Sequence, residues 1–86
     1  MTVKEFNTIR HAAFVAAMEI EDVRDAFATN NIVYIYEVTD GENHRVFALS
    51  YKTQMNNETL RTNGFTENAR IKLVMTLDRT TKCAQF

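Results

Sequence analysis

The chain has 86 residues, 45% of them apolar and 24% charged, with a formal net charge of −1, one cysteine, two glycines and no proline. That is enough chain for one domain and too little for two, and too apolar for a disordered segment. The near-neutral charge argues against a general nucleic-acid binder, and no apolar run reaches the roughly 18 residues of a membrane span. Lone Cys83 has no partner for an internal disulfide, which suits a reducing, cytoplasmic setting. The opening residues Met1 to Phe6 lack the apolar stretch of a secretion signal.

The first segment reads as helix over about 3–28. Thr2 and Glu5 have the spacing of a capping box. Phe6, Ile9, Ala13, Ala16, Ile20, Val23 and Phe27 recur at steps of three or four, an apolar stripe. Glu21-Asp22 suits the start of a second helix, so a bend near Ile20 is the alternative to one continuous rod. Ile32–Val38 is β-branched and aromatic, a strand composition. Asp40-Gly41 marks a hairpin turn, and 44–53 is the return strand. Strand parity then places Ile32, Tyr34, Tyr36 and Val38 with Arg45, Phe47, Leu49 and Tyr51. Val33, Ile35 and Glu37 share the other face with His44, Val46, Ala48, Ser50 and Lys52.

Residues 54–68 are polar, with Asn56 as a cap and Gly64 as a stop for a short helix near 57–63. Residues 69–77 alternate, so Ile71, Leu73, Met75 and Leu77 are expected on one face and Arg70, Lys72, Val74 and Thr76 on the other. The tail from Asp78 fits an extended, frayed or helical segment. These elements predict a single α+β domain over 1–86. Its architecture is a two-layer sandwich, an N-terminal helix on an antiparallel sheet of about three strands in the order α-β-β-(α)-β.

Little in the chain carries recognisable chemistry. His11, His44 and Cys83 fall on three different elements, without the spacing of a metal site. Ser50 and His44 share a strand face but stand about 20 Å apart, too far for a nucleophile and its base. Neither glycine opens a phosphate-binding loop. No cofactor, metal or catalytic residue is expected. Residues 69–86 carry Arg70, Lys72, Arg79 and Lys82 against Asp78 alone, a modest basic end opposite an acidic start.

Two surfaces remain. The helix is expected to cover the aromatic face, with Ile32, Tyr34, Phe47, Leu49, Ile71, Leu73 and Met75 as the core, so Val33, Ile35, Val46, Ala48 and Val74 form an open apolar centre rimmed by Arg70 and Lys72, the anatomy of a contact surface. Glu21 and Asp25 on the acidic helix are the alternative contact. If the aromatic face is open instead, Tyr34, Tyr36, Arg45, Phe47 and Tyr51 could stack nucleic-acid bases. The charge balance disfavours that and predicts weak, salt-sensitive binding at most. The expectation is therefore a non-enzymatic binding module, an adaptor, inhibitor or regulatory subunit docking a protein partner or its own copy as a homodimer. A phage or mobile-element accessory protein that blocks a host factor fits this size.

Overall fold

The computed structural model describes all 86 residues. Two helices, α1 (Val3–Ala17) and α2 (Glu21–Phe27), precede the hairpin strands β1 (Ile32–Asp40) and β2 (Asn43–Leu49). A 3₁₀ turn at Lys52–Gln54 leads to α3 (Asn57–Thr62), then β3 (Arg70–Asp78) and β4 (Cys83–Gln85). The fold is α+β, with a four-stranded antiparallel sheet in the order β2-β1-β3-β4. The fourth strand comes from the tail, where Cys83–Gln85 pair with Thr76–Asp78.

Thr2 caps α1 by accepting from the Glu5 amide, and its hydroxyl donates to the Glu5 carboxylate. The segment then breaks in two at Met18–Ile20, with Ile20 extended at φ −89° and ψ 123°. Length explains the break. An unbroken helix over 3–28 would run about 39 Å, while a nine-residue strand spans about 30 Å. Turning the chain at Ile20 brings Val23 and Phe27, one helical turn apart, back over the sheet, where both are buried.

The hairpin closes through Gly41-Glu42, with Asp40 paired to Asn43. Gly41 holds φ at +61°, the left-handed value the turn needs and glycine reaches without a Cβ clash. The resulting register places Ile35 opposite Ala48 and Tyr36 opposite Phe47, as parity predicts.

Two expectations fail, for connected reasons. First, the alternation of 69–77 is interrupted. Ile35 pairs with Met75 but Tyr36 pairs with Leu73, so Val74 is the extra residue of a β-bulge. Ile71 and Leu73 therefore share the aromatic face, while Met75 and Leu77 share the face of Val33 and Ile35. Second, α1 and α2 pack on the Val33 face and not on the aromatic one. Phe14, Ala17, Val23 and Phe27 meet Val33, Ile35, Leu77 and Ala84 in the main core, with the Phe14 and Phe27 rings tilted at 5.8 Å. On α1 the buried stripe runs through Phe14 and Ala17, leaving Phe6 and Ile9 half exposed.

The aromatic face has its own cover. Residues 55–69, including α3, lay Leu60 and Phe65 on Val38 and Phe47, with Met55, Ala69, Tyr36 and Leu49 around them. The sheet is thus apolar on both faces because both are packed, at different ends. Arg79 ties the layers together. Its guanidinium donates to the Phe27 carbonyl at 2.9 Å and to Asn31 Oδ1 at 2.7 Å.

Candidate docking groove

Of the five apolar residues expected on an open face, Val33 and Ile35 are buried beneath the helices. That part of the expectation is corrected: the end of the sheet holding them carries the main core. The other three remain accessible. Val46 is half exposed, and Ala48 and Val74 are partly so.

Those three residues belong to a groove between the α1–α2 corner and the sheet, of about 540 Å³. Ile35, Ala48, Val74 and Met75 form its floor, and Ala13, Ala16, Ala17, Ile20 and Val23 its helix side. Ten of its twelve lining residues are apolar, which separates it from the hollow beside α3, where Asn57, Arg61, Thr66 and Glu67 predominate. The groove exists because α1 presents alanines here, which hold the helix near the sheet without filling the space between. The bulge sets Val74 beside Met75 on the floor.

The polar groups at the groove are few. Asp22 and Glu37 line it, and Glu37 lies 3.7 Å from His44 Nε2. Arg70 and Lys72 are exposed on the same face, opposite Thr39 and Glu37 in the β1–β3 register. Acid and base therefore both stand at this end of the sheet. Glu21 and Asp25 are exposed on α2, outside the groove.

Strand β2 forms one wall and is also a sheet edge. The two-residue loop closes on the Asp40–Asn43 pair, so the hydrogen-bonded pairs of the hairpin are Asp40–Asn43, Val38–Arg45, Tyr36–Phe47 and Tyr34–Leu49. The main-chain groups of His44, Val46 and Ala48 then point away from β1. Outside the sheet ladder, no main-chain hydrogen bond involves residues 43–49. The free backbone groups and the side chains of His44, Val46 and Ala48 thus occupy one edge beside one groove.

The aromatic residues lie differently. Phe47 is buried against Phe65 at 6.2 Å, and Tyr34 and Tyr36 are partly covered. Arg45 sits 5.0 Å over the Phe47 ring and Lys52 5.3 Å over Tyr34, so cations already cover those π faces. Only Tyr51 of the set is more exposed than buried. Arg79 is engaged with α2, which leaves the basic end with Arg70, Lys72 and Lys82.

The side chains with reactive chemistry are dispersed and engaged. His11 Nδ1 hydrogen-bonds the Lys82 carbonyl at 2.8 Å, and Arg10 donates to the Ala84 carbonyl at 2.8 Å, so both fasten α1 to β4. Ser50 is buried, bonded to the Ala26 carbonyl at 3.0 Å and to the Thr29 hydroxyl at 3.2 Å. Cys83 is half buried on β4. No three residues among His, Cys, Asp and Glu cluster at metal-binding distance, and no helix is long and apolar enough to cross a membrane. Comparison with family models, with curated proteins and with solved structures finds no match to this chain.

Proposed function

We propose that the chain is a binding module that docks a polypeptide at the groove between the helical corner and β2, working as an adaptor, inhibitor or regulatory subunit. One observation carries this reading. Val46, a β-branched residue 50% exposed, stands between an apolar groove and the unpaired main chain of its own strand. A sheet edge gives affinity through main-chain hydrogen bonds, and an adjacent groove gives selectivity through side chains. Exposed edges are a hazard that proteins blunt with charge, bulges or covering segments. Here the bulge lies on β3 and the cover over other parts of the sheet, so the β2 edge is left usable.

The test is Val46→Asp. The side chain lies outside the core clusters, so the far-ultraviolet circular dichroism spectrum and the melting temperature should stay near wild type. Association, followed by sedimentation and by pull-down, should fall by a large factor, since a carboxylate would be desolvated without a partner. A variant that unfolds would place Val46 in the core. A folded variant with undiminished association would move the contact elsewhere, and α2 around Glu21 and Asp25 would be the next surface to vary.

A further inference from the structure

Resting on that reading, we infer that the polypeptide docked at β2 is the β2 strand of a second copy of this chain, joined antiparallel about Val46 into one continuous eight-stranded sheet. Three observations on different scales lead there. The first is surface. The chain exposes 6028 Å², whereas a folded monomer of its mass exposes about 5,200 Å². The difference, about 800 Å², is surface in excess of a compact monomer's, of the same size as one partner's share of a standard interface.

The second is register. Outward-facing backbone groups must pair with outward-facing ones, so a twofold axis can pass only through a few positions. Centred on Arg45, the pairing sets Arg45 against Arg45 of the second copy, like charges directly opposed. Centred on Val46, it sets valine against valine and His44 against Ala48 of the second copy. Arg45 then stands opposite Phe47 of the second copy, an uncharged neighbour, and keeps its place 5.0 Å over its own Phe47 ring. Every pair in this register is free of like-charge conflict.

The third is charge. The net charge of −1 gives two copies almost no long-range repulsion. The groove end carries both signs, Glu37 and Asp22 with Arg70 and Lys72, which suits a surface that meets itself. With the axis normal to the sheet, both grooves lie on the same side, flanking the paired valines.

Sedimentation equilibrium of the full chain, from micromolar to millimolar, tests this with two variants. Wild type should be a dimer. Val46→Asp should raise its dissociation constant at least 100-fold. Ala48→Pro, which removes an outward-facing amide and leaves the β1 ladder intact, should raise it at least 10-fold. Should a variant lose its circular dichroism signal, amide hydrogen exchange of wild type decides instead: the Val46 amide should be protected at millimolar concentration and exchange freely after dilution. A chain monomeric at millimolar concentration whose capture of another protein is lost in Val46→Asp overturns the second copy and keeps the docking surface. A dimer indifferent to both variants, or a Val46 amide whose exchange is independent of concentration, overturns the assignment, and the first of these overturns the docking surface as well.

Discussion

Leu73 and Leu77 lie on one strand, four residues apart, and the bulge at Val74 sends them to opposite faces. Truncating each to alanine therefore separates the two arrangements of the sheet. Leu77 is 0% exposed, packed among Val33, Phe27 and Ala84 where the helices, β1 and β4 meet. Its replacement removes three carbons and leaves a cavity closed on all sides, so a cost of about 3 kcal/mol is expected. A domain of this length is stable by about 4–13 kcal/mol, so the loss is a large fraction of the total. With an m-value of about 1.5 kcal/mol per M of urea, the unfolding midpoint falls by about 2 M. Leu73 is 40% exposed. Leu73→Ala gives up only part of a buried leucine's transfer energy, about 1 kcal/mol or less. Urea titrations of both variants, followed by circular dichroism at 222 nm, make the comparison. Equal losses would refute the bulge and return the strand to simple alternation. A larger loss at Leu73 would place the main core on the aromatic face.

Arg79→Ala should cost about 1–2 kcal/mol, because it strips charged donors from the Phe27 carbonyl and Asn31; the same urea titration reads it, and an unchanged midpoint would show the tie to be idle. Asp40 accepts from both the backbone amide and the hydroxyl of Thr66 at 2.7 Å, and these bonds hold its carboxyl below the ordinary value of 3.8. A depressed folded value means the link is fully present above about pH 4 and is lost as the pH falls through the folded value. The Thr66 amide resonance should therefore titrate in that acid window, and in Asp40→Asn the step should be absent.

The hairpin was legible because its information is local. Asp40-Gly41 and the β-branched run of 32–38 fix the register within a few residues, and the observed pairing follows parity throughout. The same holds for the Thr2 cap and for α3, which Asn56 caps through the Thr59 amide. Which face the helices cover was not legible, because both faces are apolar. Val33 and Ile35 are balanced by Tyr34, Tyr36 and Val38, and only the three-dimensional path of the chain decides between them. The bulge was hidden for a related reason: Leu73, Val74 and Met75 are all apolar, so inserting one residue leaves no mark in the pattern. Two of the five residues of the expected apolar centre were lost to this choice, Val33 and Ile35 becoming core. The other three, Val46, Ala48 and Val74, kept access because they line the open groove between the helical corner and the sheet. The groove's far wall at Ala13, Ala16 and Ile20 had one signal in the sequence, the alanine-rich run from Ala12 to Ala17, which reads first as helix propensity and only afterwards as room.

Amide chemical shifts of isotopically labelled chain, titrated with unlabelled chain to millimolar concentration, test the central claim most directly, because they show where contact is made. Perturbations confined to His44–Ala48, with Ile20 and Val74 across the groove, are the result the proposed docking predicts. Perturbations centred on Ile71 and Leu73, or on Phe6 and Ile9, with the groove residues silent, would contradict it.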